Sequence, residues 1–204
     1  MHINCCNANG PRAFAMIPGF AYQVQDDCVR VNFYAPSEAE LVLPGKKSVW
    51  LRQTTEYPRT DQIEIEVDPT KETTFTIALR IPAWSKIATV SVNGRPEAGV
   101  LQGAYLPVNR KWKKGDRITV KLDLRARLVE RNQAQAIVRG PLVLARDSRF
   151  GDGSVDEASV VVSKDGYVEL TPVEAPDFAW LAFTAPMVLG TDLESHRIPR
   201  QIHF

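Results

Sequence analysis

Two adjacent cysteines near the start of the sequence, Cys5 and Cys6, are the residues whose type and spacing most suggest chemistry. Cys28 completes the chain's three cysteines. Thiolates are soft ligands for zinc, but two cysteines supply only part of a four-ligand site. Three cysteines with this spacing do not predict a disulfide framework. We therefore expect Cys28 to be a small apolar core residue and the adjacent pair to be a partial metal site at most.

Paired carboxylates could indicate a glycosidase, because such enzymes commonly use two of them. Glu64 and Glu66 lie two residues apart and alternate with isoleucines, which predicts a solvated strand face instead. The histidines lack the spacing of metal ligands, and they are His2, His196 and His203. No Gly-x-Ser-x-Gly motif, phosphate-binding glycine-rich loop or Cys-x-x-Cys pair is present in the sequence.

The four tryptophans have two interpretations. Their aromatic faces could stack on sugar rings, or they could pack in the core and between sheets. We favour packing, because one of them follows Ile-Pro-Ala at the end of a predicted strand and another lies just before a basic turn. The residues are Trp50, Trp84, Trp112 and Trp180.

Composition and charge are those of a globular chain with one large or two small domains. The 204 residues are 44% hydrophobic and 24% charged, and 25 basic and 24 acidic residues give a net charge of +1. This balance predicts no binding to nucleic acid or to an anionic membrane. No apolar run reaches the ~20 residues of a membrane span, and no signal-peptide pattern opens the sequence. The localisation, cytoplasmic or periplasmic, stays open.

A helical stripe follows the cysteine pair. Ala13, Met16, Ile17 and Phe20 have the spacing of one helix face. We expect Asn9 to cap this helix, Pro11 to lie in its first turn, and Pro18-Gly19 to kink or end it early. Such a short one-sided helix needs something to pack on. We expect residues 13–22 to be disordered or buried in a self-contact.

From Asp27 onward the apolar residues recur with a period of two residues, which is the period of a β-strand. Roughly seven or eight short alternating segments occupy about 100 residues, separated by turns such as Asn93-Gly94. This pattern predicts an antiparallel β-sandwich or jelly roll. The residues expected to face inward are Val29, Val31, Phe33, Ile63, Ile65, Phe75, Ile77, Leu79, Val90, Val92, Ile118, Val120 and Leu122.

A second β-rich region follows a boundary that we place near Arg125. AQAIV and LVLAR flank a Gly-Pro turn, and VVVS, GYVEL and FAWLAFTA are further strand candidates. Residues 147–159 read as a polar loop, and residues 190–204 show no clear period. We therefore predict a mainly β protein of three parts: a short helical segment at 1–26, a first sandwich at 27–125 and a second, shorter sandwich at 126–204.

The segment CCNANGPRAFAMIPGFAYQVQDD, followed by VRVNFYAPSEAEL, resembles the Cys-Cys-x-x-Asn-Gly-x-Arg segment of glycoside hydrolase family 127 and its β-L-arabinofuranosidases. The resemblance covers about residues 3–146. Its later motifs are YPRTDQIEIEV, LRIPAWS, VSVNG, YLPVNRKWKKGDRITVKL and VRGPLVLAR.

The resemblance implies an (α/α)6 catalytic barrel followed by two β-sandwich domains, with the cysteine pair at the end of the barrel. It implies that Cys5 is the nucleophile of a retaining mechanism. It also implies that Cys5 and Cys6 bind zinc together with an upstream Glu and Cys, and that an upstream Glu is the acid/base. Asn9 and Arg12 match the motif, but we assign them no role. The barrel and its residues have no counterpart here, so the helical segment would be a remnant of the barrel's end.

We therefore expect the β-sandwich portion of a larger glycosidase, accessory in role and inactive alone. Zinc is expected in the intact parent and none in this chain alone. The expected partners are the missing barrel, a carbohydrate substrate and a second copy in a homodimer. Two alternatives stay open: a stand-alone carbohydrate-binding module, and an enzyme that is active together with a separately encoded barrel.

Overall fold

The computed structural model describes residues 5–132, 134–155, 159–190 and 199–204, without the side chains of residues 5 and 8. The chain divides into two compact units, Met1–Asp123 and Leu124–Phe204. The first element described in the first unit is the helix α1 (Cys5–Ala21). None of the described helices is long and apolar enough to cross a membrane.

Helix α1 is longer than the sequence pattern predicted. It begins at Cys5, so Asn9 is not its cap and Pro11 lies beyond its first turn. Pro18 does not end it either, because the helix continues to Ala21. A proline inside a helix removes one backbone hydrogen bond and costs about 3 kcal/mol, so other contacts must hold the last turn.

The described residues of the first unit form ten strands in two sheets. One sheet has the order β1-β2-β6-β9 and the other the order β3-β4-β5-β10-β7-β8. All neighbours are antiparallel except β2 and β6, which are parallel. The strands are β1 (Tyr22–Gln25), β2 (Cys28–Val31), β3 (Ser37–Leu43), β4 (Lys47–Thr55), β5 (Gln62–Pro69), β6 (Thr73–Arg80), β7 (Thr89–Val92), β8 (Arg95–Pro96), β9 (Tyr105–Trp112) and β10 (Asp116–Lys121).

A single hydrophobic core lies between these two sheets, which makes the unit a β-sandwich. Strand β5 shows why, since its residues alternate between partly exposed and fully buried along QIEIEVDP. The fold class predicted from the alternation is confirmed. The predicted inward residues that are buried are Val29, Val31, Ile63, Ile65, Phe75, Ile77, Leu79, Val90, Val92, Ile118, Val120 and Leu122.

The prediction for Phe33 was wrong, because its side chain is 47% exposed. Strand β2 ends at Val31, so the alternation stops before Phe33 is reached. Tyr34 is buried instead, and its hydroxyl donates a hydrogen bond to the Arg80 carbonyl at 2.9 Å. The chain turns at this point because Asn32 bonds to helix α1, as described below.

The Asn-Gly turn between β7 and β8 is tied to the start of β10. Asn93 and Gly94 both have positive φ, 50° and 77°, which suits this residue pair. The Asn93 amide donates to the buried Asp116 carboxylate at 2.8 Å and accepts from the Arg117 N–H at 2.8 Å. The Asp116 carboxylate is thus paired, as a buried charge must be.

The second unit is also a sandwich. One sheet has the order β13-β12-β11-β15, and in the other β17 pairs with β14, β16 and β18. A core cluster shared by the two sheets includes Ile137, Met187 and Ile202. The strands are β11 (Ala126–Arg131), β12 (Ala134–Arg139), β13 (Leu142–Leu144), β14 (Ser159–Val161), β15 (Tyr167–Val168), β16 (Thr171–Val173), β17 (Ala182–Leu189) and β18 (Arg200–His203).

Two details of this unit differ from the sequence prediction. Strand β17 begins at Ala182, so the first residues of FAWLAFTA precede it. Strand β18 lies in the tail where no period was visible, and it pairs with β17 through Ile202 opposite Ala185. Three or four residues are too few to display a clear alternation, so tertiary pairing determines this strand.

Replacing a buried valine should destabilise the first sandwich. We expect Val120→Ala to lower the free energy of unfolding by about 2 kcal/mol, because Val120 is fully buried. The matched control is Val42→Ala, at a valine of the same sheet that is 64% exposed, with an expected effect within about 0.5 kcal/mol. Urea unfolding measures both. Equal losses would contradict the assigned inner face.

A second expectation concerns alkaline pH. Burial raises the pKa of Tyr57 to about 12, although the charge of Arg80 opposes the shift. The unfolded chain releases this phenolic proton near pH ~10 whereas the folded chain retains it, so stability should fall as the pH rises from about 10 to 12. Tyr57→Phe should make this fall shallower, measured as the urea midpoint against pH. An unchanged slope would show that Tyr57 does not contribute.

Candidate functional site

The residues of the cysteine motif lie on helix α1. Cys6, Asn9 and Arg12 are all exposed there, and Cys5 is the helix's first residue. The side chain of Cys5 is outside the described part of the chain. The structure therefore places the motif on one short helical segment, without testing the predicted role of either cysteine.

One exposed stripe of α1 combines the motif with apolar residues. Helical residues three or four apart lie on the same face, and this spacing links Cys6 and Asn9 to the apolar positions that follow. Every member of the stripe is exposed. We call it the α1 stripe, and it consists of Cys6, Asn9, Ala13, Met16, Ile17 and Phe20.

The α1 stripe is not covered by the described residues of the chain. Met16 is 51% exposed, Ile17 49% and Phe20 55%, and Phe14 beside the stripe is 74% exposed. In this single chain the residues up to Ala21 are helical and Ala13–Phe20 are exposed, and the burial of residues 13–22 in a self-contact stays a prediction. The expectation that the helix needs a packing surface stays a prediction.

Asn32 holds the C-terminal end of α1. Its side-chain Nδ2 donates to the Phe20 carbonyl at 2.9 Å, and its backbone N–H donates to the Ala21 carbonyl at 2.9 Å. The last carbonyls of a helix have no partner within the helix, so these bonds supply what the helix lacks. The Tyr105 hydroxyl fixes Asn32 in turn by donating to its Oδ1 at 2.6 Å.

A second polar network supports the residue that follows the helix. The Gln53 side chain is buried, and its Nε2 donates to the Tyr22 hydroxyl at 2.7 Å and to the Phe33 carbonyl at 3.1 Å. The Tyr22 hydroxyl lies 2.8 Å from the Ser37 hydroxyl, which donates to the Ala35 carbonyl. These bonds connect β1, β3 and β4 across both sheets below the helix. Sequence reasoning missed Asn32 and Gln53, since both looked like ordinary polar positions of strands.

The described residues do not complete a metal site around the thiol. They contain no group of three or more His, Cys, Asp or Glu side chains that could hold a metal ion. Cys28 lies half-buried on β2, and His203 contacts Asp152 in the second unit at 3.0 Å. Cys5 and Cys6 could supply two ligands of a tetrahedral zinc site. The remaining ligands would have to come from outside the described residues.

The remaining candidates from the sequence are the two strand carboxylates and the four tryptophans. Glu66 lies 3.7 Å from the guanidinium of Arg52, and Glu64 lies 3.9 Å from that of Arg117, so these carboxylates form ion pairs on the sheet's outer face. The tryptophans separate by environment. Trp112 is fully buried, Trp84 packs against the first core, and the exposed pair lies in different units, namely Trp50 and Trp180.

Comparison with known proteins identifies the first unit's sandwich. The family model described as "Beta-L-arabinofuranosidase, GH127 middle domain" matches residues 28–124. Residues 28–124 are thus similar to a GH127 middle domain, and the resemblance to glycoside hydrolase family 127 is confirmed over this part of the chain.

One curated relative is the "Non-reducing end beta-L-arabinofuranosidase" of Bifidobacterium longum subsp. longum. It is 30% identical over 168 residues, which cover 74% of this chain and 24% of the relative. The match therefore extends beyond the middle domain. The chain nevertheless spans only about a quarter of that enzyme's length.

Two solved structures have the same fold. A GH127 β-L-arabinofuranosidase from Geobacillus stearothermophilus T6 matches with a TM-score of 0.78 and 23% identity, over 99% of this chain and 34% of that one. A GH127 β-arabinofuranosidase matches with a TM-score of 0.78 and 24% identity, over 100% of this chain and 35% of that one. This chain thus spans about a third of the length of each of these two proteins.

The bond between Asn32 and α1 can be tested directly. We expect Asn32→Ala to speed amide exchange in the last turn of α1 about fivefold, since one net hydrogen bond is worth ~1 kcal/mol. The matched control is Asn109→Ala, which removes a bond to the Thr76 hydroxyl and does not touch the helix. Hydrogen exchange followed by NMR distinguishes the two. Equal exchange in the last turn of both variants would contradict the role of Asn32.

Proposed function

We propose that this chain is the accessory β-sandwich portion of a GH127-type glycosidase and that its helix α1 presents the cysteine motif to a catalytic domain. The exposed α1 stripe carries this proposal. It joins Cys6 and Asn9 to an apolar face, while Asn32 holds the helix's opposite end to the sandwich. A surface helix with an apolar face is normally covered. A catalytic domain packed on it would bring the thiols into an active site.

In this proposal Cys5 is the nucleophile of a retaining glycosidase. A thiolate attacks the anomeric carbon while a carboxylic acid on the other side protonates the leaving oxygen, and water then releases the sugar in a second step. The resemblance assigns the attack to Cys5 and the acid to a Glu of the catalytic domain. The chain would thus contribute one of the two reacting groups.

Zinc would be held by Cys5 and Cys6 with ligands from the catalytic domain. Two thiols fit a soft tetrahedral site, and the two further ligands would come from another segment. When bound, the metal keeps cysteine thiols deprotonated. The helix would position these thiols, and the bonds from Asn32 would limit how far its other end can move.

The chain alone should lack activity for several independent reasons. It offers two of the four ligands that a stable zinc site usually takes. It also offers no acid that any motif assigns to the leaving group. A free cysteine with a pKa near ~8.5 is mostly protonated at neutral pH, which weakens the nucleophile. Each loss costs orders of magnitude in rate.

The proposed substrate is a β-L-arabinofuranoside. Support comes from the curated relative, whose name assigns it the non-reducing end of such sugars. A role as a stand-alone carbohydrate-binding module has less support, because of the first unit's three tryptophans Trp112 is buried, Trp84 packs against the core and Trp50 alone is exposed. Stacking on sugar requires an exposed aromatic face.

The proposal is tested by activity with and without a catalytic domain. We expect the isolated chain to show no turnover of an aryl β-L-arabinofuranoside and no stoichiometric zinc. In a protein that joins the chain to a GH127 catalytic barrel, Cys5→Ala should reduce kcat by more than about 10³-fold. Rates come from release of the aryl group and zinc from elemental analysis.

Cys28→Ala is the control in that joined protein. It removes a half-buried thiol of β2 and should change stability without a comparable loss of kcat. Turnover by the isolated chain that disappears in Cys5→Ala would overturn the proposed dependence on a catalytic domain. Full activity of Cys5→Ala in the joined protein would overturn the assignment of the nucleophile.

A further inference from the structure

The second unit contains a pocket that the proposed function does not use. Its volume is about 460 Å³, within the range of small-ligand sites. Its walls come from β12, the end of β13 and the segment after it, and strands β14 and β17. Most of the residues that line it have apolar side chains, including Ile137, Leu144 and Met187, and its polar lining residues are Gln135, Arg146 and Ser159.

Arg146 is the unusual residue of this pocket. Its Nε, Nη1 and Nη2 atoms are all buried and have no hydrogen-bond partner among the residues that the structure describes. A guanidinium stays charged at every physiological pH and carries five N–H donors. Burying such a charge without a partner is strongly unfavourable. An anion in the pocket would remove that cost.

Other arginines of the same unit have partners. Arg149 pairs with the Asp147 carboxylate, Arg125 lies 4.4 Å from the Tyr167 ring centroid, and Arg139 lies 5.1 Å from the Phe183 centroid. The lack of a partner therefore sets Arg146 apart from these three. It also lies beyond the matched middle domain, which ends at residue 124.

The polar neighbours indicate which anion fits. Gln135 already accepts from the Val161 N–H at 2.9 Å and donates to Glu130 at 2.6 Å, so Arg146 is the main source of unused donors. One positive charge balances a monoanion, whereas a phosphate dianion needs more charge. The planar guanidinium matches a carboxylate with two parallel hydrogen bonds. The apolar side chains among the lining residues can contact an organic body attached to that carboxylate.

We propose that this pocket binds a small organic carboxylate, with the Arg146 guanidinium paired to its two oxygens. The probe is benzoate, with benzamide as its neutral counterpart and inorganic phosphate as a second anion. Titration of the whole chain, followed by NMR, should give a dissociation constant on the order of 1 mM for benzoate. Benzamide and phosphate should bind at least about tenfold more weakly.

Two variants connect this binding to Arg146. Arg146→Met keeps the length of the side chain and removes the charge, and it should weaken benzoate binding at least about tenfold. Arg131→Met is the matched control, since it removes an exposed arginine of the same sheet and should leave binding unchanged. Arg146→Lys keeps the charge without the planar fork, so it should bind benzoate with intermediate strength. This second variant keeps the test decisive where Arg146→Met disturbs the fold.

Three results would overturn the proposal. One is benzamide binding as tightly as benzoate, which would mean that the carboxylate is not recognised. Another is benzoate binding that survives in both Arg146 variants. The third is a wild-type chain that shows no benzoate binding at millimolar concentrations, which would mean that the Arg146 guanidinium does not recruit a carboxylate.

Discussion

The link between helix α1 and the first sandwich is the interaction on which the functional account depends. Asn32 supplies two donors to the last carbonyls of the helix, at 2.9 Å each, and Tyr105 orients its side chain. The helix has two internal prolines and an exposed apolar face, so propensity alone does not explain its length. A rigid support at one end gives the cysteine motif a defined place at the other.

The hydrogen bonds at Asn32 also explain the path of the chain just after β2. Asn32 leaves the strand pattern to reach the helix, so β2 ends early, Phe33 turns outward and Tyr34 occupies the core. The Phe33 carbonyl then accepts from Gln53, whose amide also holds Tyr22 at the start of β1. Three hydrogen bonds at one asparagine and two at one glutamine therefore join the helix, the strand ends and both sheets of the first sandwich.

The sequence predicted the strands whose apolar and polar residues alternate with a period of two residues. Residues two apart in a strand, such as Val90 and Val92, point to the same face of the sheet. The apolar pattern therefore predicts which face of the strand lies against the core. Phe33 broke the pattern because a side-chain hydrogen bond outweighed it, and Pro18 failed to end α1 for the same reason. The cysteine motif was found by resemblance, whereas the roles of Asn32, Gln53 and Arg146 depend on tertiary contacts that no local pattern records.

In the proposed parent protein a catalytic domain covers the α1 stripe. Alkylation by iodoacetamide, followed by mass spectrometry, measures this at Cys6, which is exposed in the chain. We expect rapid modification of Cys6 in the isolated chain and slowing by at least about tenfold when a GH127 catalytic barrel is joined to it. Cys28 on β2 is the internal reference and should react at the same rate in both. Equal rates at Cys6 in the two proteins would contradict the claim.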